Sequence, residues 1–541
     1  MAERAVAPEV LVVGGGLGGV AAALSACAAG RTVLIADEFR WLGGQATSQA
    51  VPLDEHRWIE RTGSSATYRA FRRGLRAEFR RTYPLRTAVR DDPALNPGSA
   101  WVSPLSIEPR LAVRVIEAML RPWIARGVLR VERESSIADA EVDGDRIAAV
   151  TLRLRDGDLL RVEPRMVVEA SETGTLLEAA GVEHRRGAES AAMTGEPHAP
   201  ARALPERMQA ATHCLAVEHV AGEWTIDRPE DYDSWRALRI PGWPGPMLDW
   251  RYPNPRTGAT MTARFTPNPD EADSDMEAAV FRPELWTYRR VFDRHHLVGD
   301  HHGVSDVTVL NWPMNDYVAG PIDDVDAGRH RAAAKSLTLS LLYWLQTEAP
   351  RPDGGAGWPG LRPRPDVTGT DDGLAQAPYV REARRIDALA TPREQDLSVQ
   401  VRGDRGAVVY PDAVALGHYR IDLHPAVDGT GYVDIATHPF TVPLGALIPV
   451  RVANLVAAGK TIGATHITNG CYRVHPVEWV TGEIAGLLAA EAIQRDRPPA
   501  AIRADPAGFE SFRRLVAARG VDQAWGATEL ADARRLFGHD G

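Results

Sequence analysis

Three glycines near the start of the chain have the spacing that binds a dinucleotide pyrophosphate. In Gly14-x-Gly16-x-x-Gly19, the first glycine allows a tight turn, the second a close approach to phosphate, and the third close helix–strand packing. A helix that follows such a turn presents free N–H groups and a partial positive charge to phosphate oxygens. Asp37 comes about twenty residues later, where a carboxylate can accept hydrogen bonds from ribose hydroxyls. The spacing therefore predicts a dinucleotide site.

The pattern around the glycines supplies the elements that this site needs. The β-branched run at 10–13 predicts a buried strand, and 32–36 predicts a second one. An Ala-rich helix is expected between them, from the glycines to about Ala29, with Gly30 ending it. Glycine triplets are common in turns, but a strand, triplet, helix, strand and acid in this order are specific.

Composition limits the classes of partner. The chain has 541 residues and a formal net charge of −10, which argues against nucleic acid and anionic membranes as partners. No apolar run approaches the roughly 20 residues that span a bilayer, and no signal peptide is evident. Three distant cysteines fit a reduced protein. We therefore expect a cytoplasmic protein with a small-molecule substrate, and a homo-oligomer is left open.

The segment after the nucleotide motif predicts a helix at 68–86. Its apolar residues recur at helical spacing and predict one buried stripe: Tyr68, Phe71, Leu75 and Phe79. Its arginines fill the other faces: Arg69, Arg72, Arg73, Arg76 and Arg80. We interpret them as a solvated basic face, with an anion site as the alternative.

The chain then alternates between helices and strands. A helix is predicted at 109–126, with Pro109 at its start and Gly127 past its end. Asp-Gly pairs at Asp143 and Asp156 separate β-prone runs, and such pairs favour hairpins. The pattern predicts a β-meander over 128–163, a returning central strand at 166–170, and a helix after it.

The remaining chain predicts a covering region and a return to the first domain. Proline, tryptophan and short irregular segments increase after 184, with one long apolar helix at 327–348. The last third predicts a strand at 454–458, a loop at 459–475, and a helix at 476–495. One or two small surface helices are expected after Pro498.

The fold class predicted from these elements is α/β. We expect a Rossmann-like dinucleotide-binding domain with an inserted β-meander, and a second, α+β domain that covers the substrate. The predicted boundaries are 1–183 for the first part of the nucleotide domain, 184–440 for the covering domain, 441–497 for the returning part, and 498–541 for a C-terminal helical tail.

The arrangement favours a flavin dinucleotide over a nicotinamide one. An NAD domain usually continues with regular strand–helix repeats, whereas this chain inserts a meander and a large domain and returns at its far end. The N-terminus of the returning helix can face a second anionic centre, such as the pyrimidine edge of a reduced flavin.

Motifs along nearly the whole chain resemble one family. They are Gly14-Gly-Gly-Leu-Gly-Gly, Trp41-Leu-Gly-Gly-Gln, Glu169-Ala-Ser-Glu-Thr-Gly, Tyr379-Val-Arg-Glu-Ala-Arg-Arg-Ile, and Asn454-Leu-Val-Ala-Ala-Gly-Lys-Thr-Ile-Gly-Ala-Thr-His. The chain resembles the FAD-dependent oxidoreductases of the glutathione-reductase structural type, with fumarate-reductase-like and thiazole-synthase-like relatives. The resemblance implies a non-covalent FAD.

The resemblance also implies a map of the cofactor site. Backbone at the pyrophosphate would come from Gly14, Gly16, Leu17, Gly18, Gly19, Ala170 and Ser171. The adenosine end would be held by Asp37, Glu38 and Ile137. The ribityl chain and flavin would meet Gly44, Gln45, Ser48, Gly459, Thr465 and Asn469. The sequence departs from the family at Ser171-Glu-Thr, where relatives often carry a Thr-Gly-Asp-like run, so the side-chain contacts of that turn stay open.

The flavin supplies the redox chemistry and the protein manages protons. His466 is the first candidate for a catalytic base, since it lies on the loop expected at the ring and imidazole titrates near neutrality. The alternative is that His466 only positions the loop. Tyr419 and His424 are candidates on a strand of the covering domain.

Three further groups have two interpretations each. Arg381, Arg384 and Arg385 could clamp a carboxylate or form structural ion pairs. Cys471 could form a flavin–cysteinyl bond or a redox disulfide, and the disulfide is not expected because no second cysteine is nearby in sequence. The histidines at 295–296 and 301–302 lack the ligand spacing of a closed metal site, and no metal is predicted.

The predicted function is FAD-dependent dehydrogenation of a small polar molecule at a C–N or C–O bond. A hydride would pass to flavin N5, and oxygen or an external acceptor would reoxidise the flavin. The alternatives are a flavin-dependent reductase, a redox-neutral isomerase, an RNA-modifying flavoprotein, and a plain NAD-binding protein. The acidic charge opposes the RNA hypothesis.

Overall fold

The computed structural model describes residues 4–270, 283–299, 303–324 and 326–537. Its centre is a five-stranded parallel sheet. In spatial order the strands are Leu455–Ala457, Met166–Glu169, Val10–Val13, Val33–Asp37 and Leu129–Arg133. Four of the strands are buried along their whole length, as expected for parallel strands covered on both faces. The mixed α/β class is thereby confirmed.

Two helices from opposite ends of the sequence pack together beside this sheet. The helix Leu17–Ala28 follows the first strand, and the helix His475–Arg495 follows the last. Their backbones touch, because a Cβ on Gly482 would lie 2.0 Å from the carbonyl oxygen of Gly18. The last strand joins the sheet beside Met166–Glu169, and the helix that follows it packs on the helix that follows the first strand.

An antiparallel sheet lies at the sequence position predicted for the meander. Its order is Arg4–Val6, Leu159–Val162, Arg146–Arg153 and Ser136–Asp143, with the N-terminal strand added in parallel. The predicted meander began at 128, and this boundary is wrong. The strand Leu129–Arg133 pairs instead with Val33–Asp37 in the parallel sheet, since its buried end continues that core.

The residues predicted to form the covering region contain a second antiparallel sheet and one long helix. The sheet order is Arg290–Phe292, Val307–Leu310, Leu215–His219 and Leu361–Pro363. The helix Ala327–Thr347 confirms the prediction at 327–348 and buries Leu337, Leu341 and Trp344 in a second apolar cluster.

Short strand pairs and helices complete the described chain. The pairs are Ala211–Thr212 with Asp316–Tyr317, Arg251–Pro253 with Thr260–Thr262, His184–Arg185 with Arg385–Ile386, Ala413–Gly417 with Phe440–Pro443, and Ile421–Leu423 with Val433–Ile435. The other α-helices are Ala66–Thr82, Thr87–Arg90, Pro109–Ala125, Thr175–Ala179, Ala191–Thr194, Tyr232–Ala237, Leu285–Tyr288, Pro365–Thr368, Glu394–Leu397, Val399–Arg402, His466–Tyr472, Pro499–Ala504, Pro506–Ala518 and Ala527–Phe537. The 3-10 turns are Gly44–Ala46, Arg294–His296, Pro313–Asn315, Gly403–Arg405, Leu444–Leu447 and Gly459–Thr461.

Three local predictions need correction. The loop predicted at 459–475 contains the helix His466–Tyr472, which Thr465 caps by accepting from the N–H of Thr468. The basic face of the helix Ala66–Thr82 is partly internal, because Arg72 and Arg76 are buried against acidic partners.

The tail after Pro498 is also more extensive than predicted. It forms three helices within the described residues, and Ile502, Phe512 and Val516 are fully buried. The tail is therefore part of the core and not only surface. In the part of the chain that the structure describes, no helix has both the length and the apolar character to cross a bilayer.

Candidate functional site

A narrow cleft lies at the carboxyl ends of the parallel strands. Five residues predicted at the cofactor line it together: Gly14, Asp37, Glu38, Ile137 and Ser171. They come from three strand ends and from the antiparallel sheet, so the fold brings together residues that are far apart in sequence. This is the position at which open α/β sheets bind ligands.

Asp37 ends the second strand and is almost fully buried at this cleft. Burial raises the pKa of Asp37 to about 8, against the backbone N–H of Gly15, which lowers it. The group can therefore serve as a hydrogen-bonding partner without carrying a full charge at neutral pH.

The glycines leave no room for side chains. A Cβ on Gly14 would lie 2.4 Å from the carbonyl oxygen of Ala170, and one on Gly19 would lie 1.9 Å from Gly14. Leu17 and Gly18 form the first turn of the helix Leu17–Ala28, as the fingerprint predicts. The turn thus holds bare backbone at a helix N-terminus.

Two glutamates that the predicted site map omits lie at this N-terminus. A Cβ on Gly16 would be 2.8 Å from Glu172 Oε1 and 2.9 Å from Glu478 Oε1. Glu478 also accepts from the N–H of Gly18 at 3.3 Å. Lys460 pairs with Glu172. Burial raises the pKa of Glu478 to about 7, although Lys460 acts in the opposite direction.

The described segment after Gly44 contains buried polar side-chain atoms that have no hydrogen-bond partner. Within the described residues, both amide atoms of Gln49 and the Oε1 atom of Gln45 are buried without hydrogen-bond partners. Gln45 follows Gly44 in a 3-10 turn, and Ser48 donates to the Gly44 carbonyl at 3.4 Å. Buried polar groups are rarely left unpaired, so these atoms indicate a polar ligand.

His475, the first residue of the helix His475–Arg495, is another buried residue with an unpartnered polar atom. Its Nδ1 accepts from the backbone N–H of Asp54 at 3.0 Å, which places the ring hydrogen on Nε2. Among the described residues, Nε2 has no partner and the ring is fully buried. Burial lowers the pKa of His475 to about 4, so the ring is a neutral donor.

A second and larger cavity of about 350 Å³ opens in the covering region. Tyr419 and His424, both predicted as catalytic candidates, line it together with Arg289, Asn311 and Asp422. They flank the strand Ile421–Leu423. The volume is of the size that holds a small organic molecule.

His424 is oriented by a buried carboxylate. Its Nδ1 lies 2.5 Å from Oδ2 of Asp316, which is fully buried and also 3.1 Å from Arg381. Burial favours a raised pKa for Asp316, but Arg381 and His424 outweigh it and lower the pKa. Asp316 therefore accepts from the Nδ1–H of His424, and Nε2 faces Asp422.

Asp422 and Arg473 link the lining of this cavity to Gln45 through a series of contacts. Asp422 Oδ2 lies 3.6 Å from Nε2 of His424 and 3.6 Å from Nη2 of Arg473. The Arg473 carbonyl accepts from Gln45 Nε2 at 2.9 Å. Burial favours a higher pKa for Asp422, but His424 and Arg473 hold it below its usual range.

Tyr419 can act only as a neutral group at ordinary pH. Burial raises its pKa well above the usual value, and nearby Asp54 and Asp422 raise it further. Tyr419 can donate a hydrogen bond into the cavity but cannot serve as a base.

The residues predicted at the far loop face elsewhere. The Nδ1 atom of His466 is 2.9 Å from Glu382, and its backbone N–H donates to Glu189. Thr465 donates to Glu196, and Asn469 to the carbonyl of Arg381. These side chains hold the helix His466–Tyr472 against the covering region, whereas Gly459 lies beside Gly18.

The three arginines interpreted as either a carboxylate clamp or structural ion pairs form ion pairs. Arg381 pairs with Asp316, Arg384 with Asp323, and Arg385 with Glu189 and Glu382. All three arginines are buried. These contacts agree with the second interpretation, in which the arginines form structural ion pairs.

Neither the cysteines nor the histidine cluster forms a reactive centre in the described residues. The three cysteines are free and buried, and burial raises the pKa of Cys471 well above its usual value. Asp293, His295 and Asp306 lie close enough to share an ion, but Arg290 bonds both carboxylates. His301 and His302 lie outside the described residues.

Several site residues were missed by sequence reasoning. Asp316, Arg289, Asp54 and His475 come from four separate segments, and no local motif joins them. Only Glu172 gave a signal, as the departure in the Ser171-Glu-Thr turn. Spatial pairing across the fold, which no local spacing encodes, assembles the rest.

Comparison with known families gives one match across most of the chain. Residues 9–516 match the family described as FAD dependent oxidoreductase. No curated protein matches the sequence.

Solved structures give only distant similarities. A geranylgeranyl bacteriochlorophyll reductase-like protein from Thermoplasma acidophilum is 10% identical, covers 98% of this chain and 88% of its own, and has a TM-score of 0.32. The Sdh1 complex of Mycobacterium smegmatis is 15% identical over 99% of this chain and 77% of its own, also at 0.32. The L-proline dehydrogenase of P. horikoshii is 15% identical over 35% of this chain, with a TM-score of 0.18, and the chain spans only 25% of that enzyme's length. None of these similarities identifies a substrate.

Proposed function

The chain belongs to the family of FAD dependent oxidoreductases, and we propose that it dehydrogenates a small polar molecule at a C–N or C–O bond. The cofactor is FAD. The observation that carries the proposal is the Asp316–His424 pair on the wall of a small cavity, next to the residues that lead to the nucleotide cleft.

The residues of the cleft fit FAD. Glycine backbone at a helix N-terminus suits a pyrophosphate, which would compete with Glu478 for the N–H of Gly18, and Asp37 suits a ribose. The unpartnered atoms of Gln45, Gln49 and His475 match the many acceptors and donors of a ribityl chain and flavin ring. His475 would contribute a neutral N–H there, at the positive end of a 21-residue helix.

Bound FAD would supply the acceptor for a hydride from the substrate carbon, with oxygen or an external acceptor as the final oxidant. The chain supplies the base. Asp316 keeps the hydrogen of His424 on Nδ1, so Nε2 can take the proton of the substrate N–H or O–H. Asp422, 3.6 Å from Nε2, stabilises the imidazolium that results. The products are an imine or carbonyl compound, a reduced cofactor and a proton on His424.

His466 fits a positioning role better than a catalytic one. Its ring contacts Glu382, whose pKa is about 2, because His466 and Arg385 outweigh the effect of burial. A histidine held in this way stabilises the helix His466–Tyr472 and is not part of the cavity lining.

Anaerobic reduction of the bound flavin tests this assignment. The holoenzyme is mixed with a panel of amines, alcohols and their acids, and the visible flavin band is followed. For the substrate found, His424→Asn should slow reduction by about 10²–10⁴-fold, as expected for loss of a general base, with an unchanged flavin spectrum.

Matched variants separate the two histidines. Asp316→Asn should act in the same direction as His424→Asn, whereas His466→Asn should lower thermal stability more than the reduction rate. Normal reduction by His424→Asn, or loss of reduction only in His466→Asn, would contradict the assignment. Failure of every compound to bleach the flavin would refute the dehydrogenase itself.

A further inference from the structure

We propose that the substrate carries a carboxylate and that Arg289 binds it, together with Asn311, inside the cavity of the covering region. This inference rests on the proposed function for the reacting amine or alcohol. It adds the acid group, and thereby the substrate class: a small amino acid or hydroxy acid.

The polar atoms that lack partners at this cavity are all donors. Within the described residues they are Nε and Nη1 of Arg289, Nδ2 of Asn311 and Nε1 of Trp101. Among the described residues that line the cavity, no side-chain acceptor is left unpaired in the same way; the unpaired Oδ1 of Asp54, beside Arg289, lies outside the lining. Since buried polar groups are normally satisfied, the missing partner is a group that offers acceptors.

The fold places the two main donors side by side. Arg289 precedes the strand Arg290–Phe292, and Asn311 follows the strand Val307–Leu310, which pairs with it antiparallel. The N–H of Val309 donates to the Arg289 carbonyl at 3.2 Å. Both residues are at most 6% exposed, so water does not compete freely for them.

The charges of the cavity lining leave one cation in excess. Three arginines and two aspartates line it. Arg256 and Arg420 both bond Asp434, and Asp422 faces Arg473 from outside the lining. Arg289 in turn faces Asp54, which lies outside the lining, so these four arginines and three aspartates keep one positive charge in excess, which matches a monoanion.

Asp54 lies beside the Arg289 guanidinium but does not accept a hydrogen bond from it. Its Oδ1 lies 3.7 Å from Nη1, beyond hydrogen-bond distance, and it is outside the cavity lining. The Tyr288 ring lies 5.1 Å from the guanidinium carbon. Tyr288 also bonds the Arg289 side chain, and the unpartnered Nε–H and Nη1–H remain as donors for the oxygens of a carboxylate.

Calorimetry on the holoenzyme tests the site without turnover. Propionate is titrated against its neutral isostere propionamide, and inorganic phosphate is the third probe. Propionate should bind at least about 10-fold more tightly than propionamide, since bonds between charged groups are the stronger ones. Equal binding of the two, or tighter binding of phosphate, would overturn the proposal.

Variants assign the effect to Arg289. Arg289→Gln should weaken propionate by about 10–100-fold, and Arg289→Lys, which keeps the charge but loses the fork, by less. Arg251→Gln is the matched control, since Arg251 is exposed and pairs with Asp249; it should bind as the wild type does. Unchanged affinity in Arg289→Gln would refute the site, and the wild-type comparison of probes stands if that variant fails to fold.

Paired substrates separate this inference from the proposed function. Alanine is compared with ethylamine, and lactate with ethanol, by flavin reduction. Faster reduction by the acid of a pair supports the carboxylate site. Equal rates within a pair would overturn it while leaving the dehydrogenase intact. Propionate binding with no reduction by any compound would support the anion site and refute the proposed reaction.

Discussion

The contribution of Arg72 to stability depends on its buried partner Glu55. Its guanidinium bonds both oxygens of Glu55, and the two side chains are 2% and 0% exposed. Removing one member of a buried pair leaves the other charge unpaired, and this costs about 3–5 kcal/mol. We expect Arg72→Met to lower the free energy of unfolding by about that amount in denaturant titrations.

The same helix supplies the control for this prediction. Arg73 is exposed, so Arg73→Ala should change the unfolding free energy by no more than about 0.5 kcal/mol. Equal effects of the two substitutions would mean that the Glu55 contact contributes nothing.

Glu478 gives a prediction about pH. Since burial raises its pKa to about 7, the carboxyl is neutral at lower pH and becomes charged as pH rises through that value. A negative charge beside the Gly18 N–H then repels the FAD pyrophosphate. The affinity for FAD should fall by about 10-fold or more between about pH 6 and pH 9, given the strength of charge repulsion at short range.

Glu478→Gln tests the cause. The amide cannot ionise and keeps an oxygen for the N–H of Gly18, so FAD affinity should vary little over the same pH range. Affinity is measured by fluorescence titration of the FAD-free protein. A wild-type pH dependence that persists in Glu478→Gln would assign it to another group, such as Asp37.

Residue types alone predicted the nucleotide side of the site better than the substrate side. Gly14, Gly16 and Asp37 belong to a local motif with fixed spacing, and the structure places them at one helix N-terminus and one strand end. Asp316 and His424 are 108 residues apart in sequence. Nothing in either segment indicates that the other orients it, so sequence reasoning favoured His466, which lies on the loop expected at the flavin ring.

At the scale of elements, the contact between the first and last helices of the nucleotide site is set by glycine. A Cβ at Gly482 would overlap the Gly18 carbonyl oxygen at 2.0 Å. Gly482→Ala should therefore force the two helices apart, reduce bound FAD in the purified protein, and lower stability by about 1–3 kcal/mol, as overpacking does.

An identical substitution elsewhere should act in the opposite direction. Gly328 lies in the helix Ala327–Thr347, and a Cβ there would meet nothing within 4 Å. Gly328→Ala should leave FAD content unchanged and stabilise by about 0.5–1 kcal/mol, because glycine loses more entropy in a helix. Thermal melts and the ratio of flavin to protein absorbance measure both. Full FAD content in Gly482→Ala would contradict the close packing.

Periodicity identified the long elements and failed at the short ones. The helices Pro109–Ala125 and His475–Arg495 were predicted almost to the residue from proline starts and continuous apolar patterns. The helix His466–Tyr472 was read as loop, because Gly463 and Gly470 interrupt its pattern. Tertiary bonds from Glu189 and Glu382 hold that helix, and a local pattern does not contain them.

At the scale of the whole molecule, the apolar core that surrounds the parallel sheet runs from Val10 to Val521. The chain ends are joined at several points. The N–H of Ala66 donates to the carbonyl of Gly520 at 2.9 Å, and Arg69 pairs with Asp522 at 2.9 Å. The N-terminal part therefore depends on the tail for one side of its core, which sequence could not predict because the tail's own helices are short.

Removal of the tail tests this dependence. A chain that ends at Arg497 loses Ile502, Phe512, Val516 and Val521, all buried, and each buried side chain of this kind contributes about 1.5–3 kcal/mol. Their sum is comparable to the about 5–15 kcal/mol of a whole fold. We expect the shortened chain to give little soluble, yellow protein, and Phe512→Ala in the full chain to lose about 3–5 kcal/mol.

Arg514→Ala, at an exposed position of the same helix, should leave both yield and FAD content unchanged. Soluble, FAD-loaded protein from the shortened chain would show that the nucleotide site is complete without its C-terminal helices, because the four buried side chains would then be dispensable to the core that holds Gly16 and Asp37 in place.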